Sequence, residues 1–128
     1  MSKRVCVIGA GPSGLPAIKN ISYAGIQVVA YDYNHDVGGN WIYNENESHS
    51  SVFETTHIIS SKTLSQYEDF PFKPEVSYYP SHQELRNYFQ SYARHFNLYD
   101  FIQFNTLVKR CVRLPSNDWE VTTIKNEK

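Results

Sequence analysis

Lys3-Arg4-Val5-Cys6-Val7-Ile8-Gly9-Ala10-Gly11-Pro12-Ser13-Gly14 is a short apolar run closed by glycines at GxGxxG spacing. The run from Val5 to Ile8 is continuous and apolar, which predicts a strand buried on both faces. A turn follows at the glycines. Residues 13–24 then carry Leu15, Ile18, Ile21 and Ser22 on one side of a helix. Pro16 fits that helix only if it begins near Pro12 or Ser13, where a missing N–H costs little. Gly25 stops the helix. Ile26 to Tyr31 reads as a second apolar strand, ending in Asp32.

This order of strand, glycine turn, helix, strand and acid gives the glycines a physical role. Gly9 allows the tight exit from the strand, Gly11 leaves room for a pyrophosphate to approach the backbone, and Gly14 lets the helix pack closely on the sheet. Gly9, Ala10, Gly11, Pro12, Ser13 and Gly14 are therefore candidate phosphate-binding residues, served by free N–H groups and the positive helix end. Ser13 supplies either a hydroxyl donor or a helix cap. Asp32 is placed to bind ribose hydroxyls, against the alternative of a solvated acid at a strand end. Tyr33, Asn34 and His35 follow it, and the lack of Arg or Lys there disfavours a 2′-phosphate at this site.

NAD and FAD share this fingerprint, and the next motif favours FAD. In Val37-Gly38-Gly39-Asn40-Trp41 the glycine pair lets the backbone pass close to a ligand, and Trp41 offers a flat apolar wall. An ordinary glycine turn beside a core tryptophan is the plainer alternative.

Residues 33–80 are polar and broken by Pro71, Pro74 and Pro80, with short strands expected at Val52-Phe53-Glu54 or His57-Ile58-Ile59. A structureless loop of that length is unusual in a compact domain, so this segment is expected to wrap over something, a bound cofactor being a good candidate. Ser81 to about Asn97 is the clearest helix. Ser81 and Glu84 form a capping box, and Leu85, Tyr88, Phe89, Tyr92 and Phe96 share one apolar face, which reads as core packing. Phe101 to Phe104 suggests a short strand. Leu107 to Leu114 and Trp119 to Ile124 suggest a hairpin around Pro115-Ser116-Asn117-Asp118. The fold class expected is α/β: a Rossmann-type FAD/NAD(P)-binding domain, a parallel sheet with flanking helices and a β-hairpin or meander, incomplete as it stands.

The 128 residues suit one domain, and apolar and aromatic contents of 41% and 15% fit a packed core. A net charge of −1 gives no electrostatic case for nucleic acid or an anionic membrane. No stretch approaches membrane-spanning length. Lys3-Arg4 before an apolar run mimics a signal peptide, but the run to Ala10 is too short. The sequons Asn20-Ile21-Ser22 and Asn46-Glu47-Ser48 read as chance matches. Cys6 and Cys111 read as buried free thiols of a reducing compartment, and a cytoplasmic location is expected. His35, His49, His57, His82 and His95 lack metal-ligand spacing, so no metal site is expected; His82 reads as lining the helix start and His95 as helix surface.

The sequence resembles the flavin-containing monooxygenases, which act on soft nitrogen and sulfur centres. The resemblance covers nearly the whole chain. It rests on the glycine loop, the strand-end acid, Gly38-Gly39-Asn40-Trp41, Ser60-Ser61-Lys62, Asp69-Phe70-Pro71-Phe72, Tyr79-Pro80-Ser81-His82, Tyr92-Ala93-Arg94-His95-Phe96 and Ile102-Gln103-Phe104-Asn105-Thr106. The first motif is generic and the later ones together are specific. The resemblance implies that Gly9 to Gly14 hold the FAD pyrophosphate and Asp32 its ribose. It places Gly39, Asn40 and Trp41 at the flavin side, Ser60 near the isoalloxazine, and Val108 against the adenine through its backbone. Many relatives carry Asn before that serine, where this chain has Ile59, and Glu is commoner where it has Asp32.

By the same resemblance NADPH reduces FAD, oxygen adds to form a hydroperoxyflavin, and a small nucleophilic substrate takes one oxygen atom. The protein orients the flavin and excludes water, and no catalytic acid or base is named. A second glycine-rich turn for NADPH, the linker motif between the two dinucleotide sites and the later strand of the FAD sheet are all missing. Residues 1–128 are therefore expected to be the N-terminal FAD-binding portion of a longer enzyme, without its NADPH-binding domain and inactive by itself. A non-catalytic nucleotide-binding module and an NAD-dependent dehydrogenase fragment are the competing readings. Substrate identity is unreadable here, and so is oligomeric state, which leaves a homo-oligomer open.

Overall fold

The computed structural model describes residues 3–45 and 51–126. The sequon Asn46-Glu47-Ser48 and His49 lie outside the described residues. Strand β1 (Arg4–Ile8) leads through the glycine turn into helix α1 (Gly14–Tyr23) and strand β2 (Gln27–Tyr31). After a long excursion come helix α2 (Lys62–Ser65), helix α3 (His82–His95), strand β3 (Ile102–Gln103) and the hairpin strands β4 (Thr106–Arg113) and β5 (Trp119–Lys125). Strands β1, β2 and β3 form a parallel sheet in that order, with Val5 opposite Val28, Val7 opposite Ala30, and Ala30 opposite Ile102. The sheet edge at β1 stays unpaired among the described residues, and Ile8 at its end is exposed.

Local sequence accounts for the helices. Pro16 sits in the first turn of α1, where no intrahelical partner awaits its nitrogen. Leu15 and Ile18 are fully buried against the sheet, while Ile21 and Ser22 are only half-buried. The Ser81–Glu84 capping box forms in full: the Glu84 N–H donates to Ser81 Oγ at 3.2 Å, and the Ser81 N–H to Glu84 Oε2 at 2.9 Å. The aromatic stripe of α3 is core, with Tyr92 only 1% exposed and Leu85, Tyr88 and Phe89 buried beside it.

The described parts of the 33–80 excursion are held by their own anchors rather than by strands. Val52 to Glu54 forms no strand; the chain turns there, with the Thr56 N–H bonded to Phe53 O at 3.0 Å. His57 to Ile59 contributes one isolated bridge, His57 to Ser81, because its partners are the residues that open α3. The Ile58 N–H donates to Pro80 O at 2.9 Å, and the His82 N–H to Thr56 O at 3.0 Å. Lys62 Nζ gathers the carbonyls of Pro74 and Val76 at 2.9 and 2.6 Å and so closes the loop beyond α2. Tyr67, Phe70 and Phe72 fold back onto the α3 stripe, Phe72 stacking on Tyr88 with centroids 3.9 Å apart.

Two further expectations need correction. The strand from Phe101 to Phe104 shrinks to Ile102–Gln103, because Tyr99–Phe101 closes into a 3₁₀ turn first. Cys6 is half-buried on β1, but Cys111 is exposed, because β4 beyond Val108 belongs to a hairpin that stands largely clear of the core. Trp119 and Ile124 of that hairpin are exposed as well. No helix among the described residues is long and apolar enough to cross a membrane.

The aromatic core sets an alkaline limit on stability. Burial pushes the Tyr88 and Tyr92 hydroxyls up to about 12, from an ordinary value of 10.0. Burial, followed by the bond to Asp36 and its charge, does the same to Tyr99. The folded state therefore keeps protons that the unfolded chain releases above pH ~10, and stability is lost as pH rises from ~10 through ~12. Denaturation midpoints should hold steady up to pH ~10 and fall steeply beyond it, with late tyrosinate absorbance accompanying unfolding. A flat midpoint up to pH ~12 would contradict this.

Candidate nucleotide-binding site

The glycine turn lies between the end of β1 and the start of α1. The Gly9 N–H completes the sheet by donating to Tyr31 O at 2.8 Å, and the chain reverses there with φ at +99°, a region L side chains avoid. Gly14 opens α1 in direct contact with Gly9. A Cβ on Gly14 would lie 1.9 Å from the Gly9 carbonyl oxygen, so only glycine permits this close approach of helix to turn. The Leu15 N–H donates to Gly11 O at 3.1 Å. The N–H groups of Gly11, Ser13 and Gly14 find no acceptor among the described residues. Ser13 is exposed and makes no capping bond, which removes the helix-cap reading and leaves its hydroxyl at the positive end of α1.

Asp32 points into this turn. Its Oδ2 accepts the Ala10 N–H at 2.6 Å and its Oδ1 the Asn34 N–H at 2.7 Å, and the residue is only 6% exposed. Both oxygens keep a second acceptor position, so the carboxylate braces the turn and retains capacity for hydroxyl donors. Its backbone extends the same order into β3 and β4: the Asp32 N–H donates to Gln103 O at 3.0 Å, and Asp32 O accepts the Thr106 N–H at 2.9 Å. Val108 follows Thr106 on β4, beside the register shift between Val108 and Arg110.

The second glycine motif docks onto the first. The Gly38 N–H donates to Ala10 O at 3.1 Å, and Gly39 adopts φ +57°. A Cβ on Gly39 would come within 3.1 Å of Gly11 Cα and 3.5 Å of Pro12 Cδ. The glycine pair thus lets two backbone loops meet. Gly39–Trp41 forms a 3₁₀ turn that leaves Asn40 exposed and packs Trp41, half-buried, against the core. The Ser60 Oγ lies 2.5 Å from Ser65 Oγ, at the start of the α2 turn. Ile59 beside it is 97% exposed.

Two residues that shape the site escaped the sequence reading. The Tyr67 hydroxyl donates to the Pro12 carbonyl and pins the long excursion onto the glycine turn, and burial pushes this phenol well above the ordinary tyrosine range. Asp36, just before the glycine pair, accepts from Gln90 and Tyr99. All three contacts link residues remote in the chain, so no local pattern announces them. Two histidines make structural bonds: His82, buried, places Nε2 at 2.9 Å from Glu54 O, and His57 Nδ1 lies 2.9 Å from Tyr79 O, while His95 lies on the exposed side of α3. Among the described residues no three His, Cys, Asp or Glu side chains gather as a metal site.

A parallel β1-α1-β2 unit, a glycine turn with unpaired amides at the helix start and a buried acid braced against that turn define a Rossmann-type domain of the FAD/NAD(P)-binding class. Residues 2–128 match the family model for flavin-binding monooxygenase-like proteins. The chain belongs to this family. It is 36% identical over its whole length to flavin-containing monooxygenase 3 of Rattus norvegicus and spans 25% of that relative's length. S-allyl-L-cysteine S-oxygenase from Allium sativum shares the fold, with a TM-score of 0.87 at 22% identity over 98% of this chain and 33% of that one. OTEMO in an FAD-bound form superposes with a TM-score of 0.78 at 26% identity, over 98% of this chain and 23% of that one.

Proposed function

We propose that residues 1–128 are the FAD-binding portion of an NADPH-dependent monooxygenase that oxygenates soft nitrogen or sulfur nucleophiles. The observation that carries this is the glycine turn, whose unpaired amides at Gly11, Ser13 and Gly14 meet the positive end of α1 beside Asp32. These donors suit a diphosphate, and open space over Gly9 leaves room for one to approach. Bound FAD, reduced by NADPH, supplies the oxygen-activating chemistry.

The chain's own residues bind and orient. Gly9 to Gly14 hold the pyrophosphate and Asp32 accepts ribose hydroxyls. Gly39, Asn40 and Trp41 border the flavin side, and Val108 meets the adenine through its backbone. Ser60, whose hydroxyl pairs with Ser65, is assigned to the isoalloxazine region on family grounds. Ile59 offers no hydrogen bond there, unlike the Asn of many relatives. Because the chain spans about a quarter of the relatives' length, we assign the NADPH site, the substrate pocket and oxygenation itself to the complete protein. The two free cysteines support a reducing, cytoplasmic setting.

The test is flavin binding by the complete protein that carries this chain. Purified protein should be yellow or take up added FAD with quenched flavin fluorescence, and should oxidise NADPH faster when a thioether or tertiary amine is supplied. Protein that binds NADH tightly and ignores FAD would instead support the dehydrogenase reading. Protein that refuses both dinucleotides would leave a non-catalytic module.

A further inference from the structure

We infer that Asp36 is a positioning residue that locks the two glycine loops into one cofactor cradle. Its carboxylate collects four groups from different parts of the fold. Oδ1 accepts the Val37 N–H at 2.7 Å and the Tyr99 hydroxyl at 2.9 Å. Oδ2 accepts Gln90 Nε2 at 2.6 Å and faces Arg86 at 3.9 Å. Gln90 and Arg86 stand one turn apart on α3, and Tyr99 opens the 3₁₀ turn before β3.

This arrangement holds the Gly38-Gly39 loop from behind. In front, that loop touches the glycine turn through the Gly38 N–H to Ala10 O bond and the close approach of Gly39 to Gly11. Gly38 and Gly39 both occupy positive φ, so the loop has little intrinsic preference for this shape and depends on its anchors. Arg86 is a weaker, longer-range neighbour of the same carboxylate, its Nη2 3.9 Å from Oδ2. Arg86 Nε is buried without a hydrogen-bond partner, and Asp36 is the carboxylate facing that guanidinium among the described residues. Without Asp36, Arg86 would lose the anion beside it, Gln90 and Tyr99 would lose their acceptor, and Gly39 would be free to drift from Gly11.

The inference rests on the proposed FAD site, and the test separates the two. Wild-type, Asp36→Ala, Asp36→Asn and Tyr99→Phe versions of the full protein are titrated with FAD, following flavin fluorescence and the rate of FAD release. Asp36→Ala should weaken FAD binding at least about tenfold, the size of one lost charge-assisted hydrogen bond, mainly through faster release. Asp36→Asn should stay within about threefold of wild type, because its Oδ1 still accepts from Val37 and Tyr99 and the Gln90 amide can turn to accept from the new NH₂. Should Asp36→Ala fail to fold, Tyr99→Phe, missing one bond, should still release FAD faster than wild type.

Rescue by Asn with loss in Ala supports the positioning role, since a merely structural defect would lower the melting temperature without changing FAD release. Equal FAD affinity and release in wild type and folded Asp36→Ala, or in wild type and Tyr99→Phe if the alanine variant does not fold, overturns the positioning role and leaves the FAD site standing. Absence of FAD binding in the wild type overturns both.

Discussion

Gly14→Ala is expected to destabilise the domain by about 3 kcal/mol or more, at or beyond the upper end of the usual cost of overpacking, and to abolish flavin binding. The added methyl would lie 1.9 Å from the oxygen and 2.8 Å from the carbon of the Gly9 carbonyl. Both are backbone atoms fixed by the Gly9 N–H bond to Tyr31, so no rotamer change relieves the clash. Either α1 swings off the sheet or the turn opens, and both displace the amides of Gly11, Ser13 and Gly14. Denaturant unfolding of wild type and variant, paired with FAD titration, reads both effects. A stability change within about 0.5 kcal/mol, typical of a neutral surface substitution, would show that the turn tolerates the methyl and that the close approach is not essential.

Asp32→Ala should be nearly as severe. The Ala10 and Asn34 N–H groups both lose a buried acceptor, at about 1–3 kcal/mol each. The same change removes the carboxylate assigned to the ribose, so affinity for FAD should fall further than stability predicts. Asp32→Glu restores the longer acid commoner in the family and should retain binding. If Asp32→Ala bound FAD as tightly as wild type, the acid would be a structural brace only.

The candidate site was legible in the sequence where its determinants are local. The glycine spacing, the apolar run before it and the acid ending the next strand lie within one βαβ unit, and each role follows from backbone geometry. The capping box at Ser81 and Glu84 was legible for the same reason, since both partners sit within one helical turn. What stayed hidden depends on residues brought together by the fold. Val52 to Glu54 carries strand-like residues, yet the neighbouring backbone pairs with the start of α3 at Thr56 and Ile58 instead. Tyr67 reads as one more aromatic in a polar segment until its hydroxyl is seen on Pro12. Gly39 was expected to clear space for a ligand, whereas its missing side chain first admits Gly11 and Pro12.

The exposed hairpin divides the molecule energetically. Two strands pairing mainly with each other hold marginal stability of their own, so β4 and β5 can open while the parallel sheet and α3 stay intact. The boundary of that opening is Thr106, whose amide is fastened to Asp32 O. Fraying that starts at the tip therefore meets its first firm barrier where the hairpin joins the parallel sheet, and the main-chain carbonyl of Asp32, whose side chain braces the glycine turn, doubles as the stop.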